Sequence, residues 1–119
     1  MEYNLYKGVD AKVAADIALK SRLYVSGWML SSYLKKIRSF EIDARVVLCT
    51  ENGNAVGICV QVLSGARKGF TQVFVKKSCR NRGIGTKMAN LVKFEGCYGV
   101  KGVTNKVWFR NGYKVRGWP

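Results

Sequence analysis

The stretch Val73-Phe74-Val75-Lys76-Lys77-Ser78-Cys79-Arg80-Asn81-Arg82-Gly83-Ile84-Gly85-Thr86 reads as a strand, a basic turn and the glycine-rich start of a helix. Val73 and Val75 alternate as a strand does, and beyond the turn Ile84, Met88, Leu91 and Val92 recur on one helical face until the pattern breaks at Gly96. The first turn of a helix leaves about four backbone N–H groups without internal partners, and with the helix dipole these make an anion site. Gly83 and Gly85 present no Cβ, so a phosphate can come close to the backbone; Arg80 and Arg82 add charge and Thr86 a hydroxyl. A P-loop would need G-x-x-x-x-G-K-[ST], and a dinucleotide fingerprint would need three spaced glycines and a ribose-binding acid. Neither is present. The segment from Gln72 to Val92 is therefore expected to bind phosphate groups through the pattern R-x-x-G-x-G.

Working outward, Tyr3 to Tyr6 is a strand candidate, and Asp10 can cap a helix that carries Val13, Ile17 and Tyr24 near one face. Ser26 is the expected cap of a second helix. In it Met29, Leu30, Tyr33, Leu34 and Ile37 repeat at helical spacing, and Lys35, Lys36 and Arg38 suit the negative end of the dipole. Arg45 to Thr50 and Ala55 to Leu63 are rich in valine and isoleucine and flank Glu51-Asn52-Gly53-Asn54, which predicts a β-hairpin. A turn over Ser64 to Gly69 leads into a strand from Phe70 to Lys77. After the signature helix, Tyr98 to Trp118 alternates short apolar pieces with glycines, predicting two more strands with little helix between them. No repeat, linker or low-complexity segment interrupts the 119 residues, which suffice for one packed core, so residues 1–119 are expected to form a single α+β domain.

Charge is unevenly placed. Residues 1–65 carry 8 Lys+Arg against 6 Asp+Glu, whereas residues 66–119 carry 13 against 1, within a net charge of +14. Such an asymmetry points to a polyanionic ligand or partner. There is no histidine, and Cys49, Cys59, Cys79 and Cys97 form no C-x-x-C pair, which argues against a metal site and against an imidazole base. The cysteines are expected to be free thiols, with Cys79 among Lys76, Lys77, Arg80 and Arg82 a candidate reactive thiol if exposed, and otherwise an incidental loop residue. No apolar run is long enough to span a membrane and the N-terminus lacks signal-peptide order, so a soluble, cytoplasmic protein is expected.

The strand followed by R-x-x-G-x-G and a helix resembles the signature of the GNAT N-acetyltransferase superfamily, with Val75, Arg80, Gly83, Ile84 and Gly85 at the family's positions. The order of elements agrees, and Trp108-Phe109-Arg110-Asn111-Gly112-Tyr113 looks like the family's aromatic-then-G-[FY] segment, so the resemblance spans nearly the whole chain. It implies a mixed, mostly antiparallel central sheet flanked by helices. The sequence stops at Gly117-Trp118-Pro119, before the family's usual last antiparallel strand, which implies a C-terminally shortened sheet. The resulting edge would be covered by a second copy in a homodimer, or protected in a monomer by Lys114 and Arg116.

By that resemblance the backbone of Phe74 and Val75 would pair with the pantetheine arm of acetyl-CoA, and the pyrophosphate would sit on Arg80, Asn81, Arg82, Gly83, Ile84, Gly85 and Thr86. The Val75 N–H would polarise the acyl carbonyl, Asn105 would lie near the pantetheine, and a primary amine would attack the thioester directly. The customary acid and base are not evident. Thr71 and Gln72 stand where the family often has a carboxylate, which leaves Glu41 and Asp43 as base candidates by chain position; Trp108 or Phe109 stands at the late tyrosine position, which leaves Tyr113 or Tyr98 as hydroxyl donors. The acceptor is an unidentified amine, with a protein or an aminoacyl-tRNA among the candidates. Two alternatives stay open: an RNA- or tRNA-associated protein, suggested by Phe70, Tyr98, Trp108, Phe109, Tyr113 and Trp118 interleaved with cations, and a regulatory binding protein that keeps the fold without catalysis. Coenzyme A, with roughly four negative charges, does not account for the whole cationic surplus.

Overall fold

The structure is a computed structural model that describes residues 1–23, 28–94, 96–100, 102 and 104–117. Its elements follow in the order β1 (Glu2–Tyr6), α1 (Asp10–Lys20), α2 (Trp28–Arg38), β2 (Ala44–Glu51), β3 (Asn54–Val62), β4 (Thr71–Val75), α3 (Ile84–Val92), β5 (Tyr98–Val100), α4 (Asn105–Arg110) and β6 (Lys114–Arg116). β1 to β4 form an antiparallel sheet in sequence order. Its centre is the predicted hairpin. Asn52 and Gly53, at φ 53° and 78°, make the two-residue turn whose twist matches the flanking strands, and Glu51 pairs with Asn54 across it.

Strand alternation gives the sheet two buried faces. Val46, Leu48, Ile58 and Val60 meet Leu30, Leu34 and Ile37 of α2 and the alanines of α1, while Val47, Cys49 and Cys59 meet Ile84, Met88, Ala89 and Val92 of α3. Here the expected face of α1 is corrected. Ala11, Ala14, Ala15 and Ala18 are buried, whereas Val13 and Ile17 are 53% and 36% exposed, because small side chains let the helix lie close to the sheet and larger ones would hold it off. Asp10 is not a cap either: Val9 precedes the helix, no side chain caps it, and Asp10 sits in the first turn, where it favours the dipole. In α3 the same correction moves Leu91 outward, 43% exposed, and puts Ala89 in its place. Tyr24, Ser26 and Trp118 fall outside the described residues, and so does the side chain of Met29.

The C-terminal region departs most from expectation. A helix, α4, lies between its two strands, and those strands pair in parallel, Tyr98 with Lys114 through Val100 with Arg116. Parallel neighbours need a crossover, and α4 supplies it. The indole of Trp108 lies flat on β5: a Cβ built on Gly99 would come within 2.1 Å of the ring, so no larger residue fits. This small sheet meets the large one at a single parallel bridge, Phe70 to Tyr98, where the Tyr98 N–H donates to the Gly69 carbonyl at 3.0 Å. Past that bridge no strand runs beside β4 among the described residues.

Gly99→Ala forces Trp108 off its seat and is expected to destabilise the fold by about 3 kcal/mol, as overpacked cores do. A urea-unfolding midpoint unchanged from the parent protein would refute this packing.

Candidate functional site

The gap left by the parting of β4 from β5 opens into a cleft of about 400 Å³. Val73–Val75 form one wall, Cys79–Asn81 and Gly83–Thr86 the end, and Thr104, Lys106, Val107 and Arg110 the other wall. Among the described residues no Asp or Glu lines it.

The end wall is built by the loop and helix start in which the sequence pattern predicts an anion site. Gly83 caps α3 at φ 77°, and the first intrahelical bond runs from the Lys87 N–H to the Gly83 carbonyl. The N–H groups of Ile84, Gly85 and Thr86 are therefore left without helical acceptors, and all three residues line the cleft. Asn81 also takes positive φ, 64°, which a short polar side chain tolerates. A Cβ on Gly83 would meet nothing within 4 Å, so a side chain there would carry backbone strain and project into open space.

The side wall offers backbone. The Lys76 N–H donates to the Val56 carbonyl and the Val62 N–H to the Phe70 carbonyl, so β4 residues of even number turn their polar groups toward β3. By the same alternation Val73 and Val75 turn theirs to the open edge. This corrects the expected role of Phe74, whose backbone pairs with Ile58; its ring instead carries the Arg80 guanidinium at 5.6 Å. Arg80 Nε also donates to the Val75 carbonyl at 2.9 Å, which folds the arginine against the mouth of the cleft.

Other expected site residues lie elsewhere. Arg82 leaves the cleft to make a paired contact with Glu51, Nη1 to Oε1 at 3.3 Å, and these hydrogen bonds hold the Glu51 carboxyl below its usual range. Asn105 accepts from the Gly102 N–H at 2.8 Å and stabilises the turn before α4. Glu41 and Asp43 are exposed just before β2, at the end of the sheet where Ala44 pairs with Val62. Neither acid lines the cleft; both stand at the Phe70 end of the sheet, where the Leu63 N–H donates to the Asp43 carbonyl and the Val62 N–H to the Phe70 carbonyl. Tyr113 is buried, its ring tilted against Trp108 at 5.2 Å and its hydroxyl donating to the Ala89 carbonyl; burial raises its pKa well above the ordinary phenol value. Cys79 is buried, not exposed, and all four cysteines are free.

The aromatic residues that suggested nucleic-acid stacking are mostly core. Phe70, Tyr98, Trp108 and Tyr113 are buried, and only Phe109 of that set is exposed among the described residues. Val73, Thr104, Lys106, Val107 and Arg110 line the cleft without being among the expected site residues; the last four belong to a segment in which the sequence predicts little helix. The signal was present: Lys106 and Arg110 are four apart, the spacing of one helical face.

No family model matches the sequence, and no curated protein matches it. Solved structures do. The structure is similar to glucosamine-6-phosphate N-acetyltransferase from Arabidopsis thaliana, with TM-score 0.54 and 20% identity over 100% of this chain and 96% of that one. It is also similar to a "possible acetyltransferase" from Clostridium difficile 630, with TM-score 0.51 and 15% identity over 100% of this chain and 95% of the other. The fold is GNAT-like. Within this GNAT-like frame the cleft coincides with the parting of β4 and β5 and with the R-x-x-G-x-G loop. Among the described residues no group of three metal-ligating side chains occurs, and no helix is long and apolar enough to cross a membrane.

Tyr113→Phe leaves the Ala89 carbonyl without its donor and is expected to cost about 1–2 kcal/mol in stability. Burial raises the Tyr113 and Cys59 pKa values, so the stability from keeping both neutral is full below their unfolded-state values, about 10 and about 8.5, and falls as pH rises above them. Urea midpoints at neutral pH and above pH 10 would check both points: the parent should lose stability in alkali, and Tyr113→Phe should lose less.

Proposed function

We propose that this chain, as a single acyltransferase domain, is an N-acetyltransferase that moves an acetyl group from acetyl-CoA to a primary amine by direct attack on the thioester. The observation that carries the reading is the cleft, lined by no described carboxylate, between an open strand edge and a helix start without a side-chain cap. A polar arm with amide groups can add to the edge of β4 as a short strand would, and a pyrophosphate can take the N–H groups of Ile84, Gly85 and Thr86 with Arg80 beside it. With the phosphates at that end, the thioester falls toward the meeting of Phe70 and Tyr98. The deeper edge donor is then the Val73 N–H, which is better placed than Val75 to polarise the acyl carbonyl.

Attack forms the amide C–N bond and breaks the C–S bond, which releases one proton from the amine and requires one at the departing thiolate. Neither Glu41 nor Asp43 lines the cleft and the Tyr113 hydroxyl is engaged, so water is the favoured carrier for both transfers in this reading. Buried free thiols suit a reducing compartment, which supports a cytoplasmic setting. A non-catalytic, RNA-associated role draws less support, because the aromatics it would use are packed in the core.

Calorimetry should detect acetyl-CoA binding by the wild-type protein and none by Gly83→Glu, which puts strain and negative charge at the phosphate end. Thiol release on addition of an amine panel then reports transfer. Failure of the wild type to bind acetyl-CoA, or equal binding by Gly83→Glu, would refute the proposal.

A further inference from the structure

The cations around the cleft fall into two kinds. Arg80 is held by the Val75 carbonyl and the Phe74 ring, and Arg82 is paired with Glu51 outside it. Lys106 and Arg110 line the opposite wall, both exposed, and neither side chain has an ion pair or hydrogen bond among the described residues. They stand one turn apart on the same side of α4. Their position relative to the phosphate loop is fixed. Asn111 donates from Nδ2 both to the Thr86 carbonyl of α3 and to the Val107 carbonyl of α4, each at 3.0 Å. Val107 in turn reaches within 3.5 Å of a Cβ built on Gly85. Two cations without partners among the described residues, carried on a helix tied to α3 in a cleft that no described carboxylate lines, offer a place for a further anion.

We infer that Lys106 and Arg110 form a clamp for a phosphate monoester separate from the pyrophosphate, and that the clamp selects coenzyme A carrying its ribose 3′-phosphate over the dephosphorylated form. This rests on the acetyl-CoA reading above. The pyrophosphate carries about two charges and is met by the α3 N–H groups, whereas the 3′-phosphate adds about −1.5 to −2 and branches from the ribose, beyond the reach of the same donors. Arg110 can take such a group with two parallel hydrogen bonds and Lys106 as a point charge.

Calorimetric titration of the full chain with acetyl-CoA and with its 3′-dephospho analogue tests the clamp. Wild type is expected to bind acetyl-CoA about tenfold or more tightly than the analogue. Lys106→Ala/Arg110→Ala should bind the two equally, near the wild-type affinity for the analogue, and Lys106→Arg should keep the preference. Both positions are exposed, and an unchanged thermal midpoint would show that the double variant folds. Equal affinity of wild type for the two ligands, or a preference that survives in the double variant, would overturn the clamp while leaving acetyl-CoA binding intact. Absence of binding to either ligand would overturn the acetyl-CoA reading, and the clamp with it.

Discussion

The meeting of the two sheets is held by a small set of buried hydrogen bonds around Gln61, and the cleft depends on that point staying closed. Gln61, fully buried in β3, donates from Nε2 to the Thr71 hydroxyl at 3.0 Å and to the Tyr113 hydroxyl at 3.5 Å. The Thr71 hydroxyl donates to the Gly69 carbonyl, which also accepts from the Tyr98 N–H, and the Tyr113 hydroxyl donates to the Ala89 carbonyl in α3. Five segments thus meet through groups that have no water to fall back on. In a low-dielectric core each such bond is costly to break, so the convergence of β4 and β5 is fixed where the network is and free to open where it ends.

What opens the strands beyond that point is competition for β5. One side of β5 is paired with β6, its Gly99 backbone is covered by Trp108, and α4 is tied to α3 through Asn111. β4 belongs to the large sheet through its register with β3. Two strands held in different sheets leave hydrogen-bonding register beyond their bridge, and the edge groups of Val73 and Val75 are the remainder. An exposed edge is ordinarily an aggregation hazard. Here it is short, it lies inside a concave site, and the Val75 carbonyl already accepts from Arg80.

The central hairpin and the glycine-rich turn into α3 were legible in the sequence because short-range chemistry dictates them. Asn52-Gly53 permits few turns other than the observed one, and a glycine after two basic residues at the end of a valine-rich strand leaves few conformations for the start of α3. The face of α1 was not legible. Periodicity shows where apolar residues lie but not how near a helix sits to its sheet, and at close range alanine displaces valine from the interface. Nor was α4: its six residues are too few for periodicity to outweigh flanking glycines, and its place depends on Asn111 and Trp108 reaching α3 and β5. The same limit hid the buried polar network, since Gln61 in a valine-rich strand carries no local mark of its partners.

The pairing of Arg82 with Glu51 sharpens the electrostatic account of the loop. If net charge alone mattered, neutralising one of two signature cations would weaken the site. The pair instead anchors the loop to the β2–β3 turn, so that Asn81 and Gly83 can keep their left-handed backbone and the α3 donors stay aimed at the cleft. A surface ion pair contributes little to global stability, but it need only restrain one short loop. Ordering donors before a ligand arrives removes an entropic cost from binding, and the direction of the N–H groups matters more to a pyrophosphate than one further solvated charge. On this view the two signature arginines are structural, with Arg80 bracing the strand edge and Arg82 bracing the turn. The cleft cations that no described side chain or carbonyl engages, Lys106 and Arg110, stand on the opposite wall, on α4.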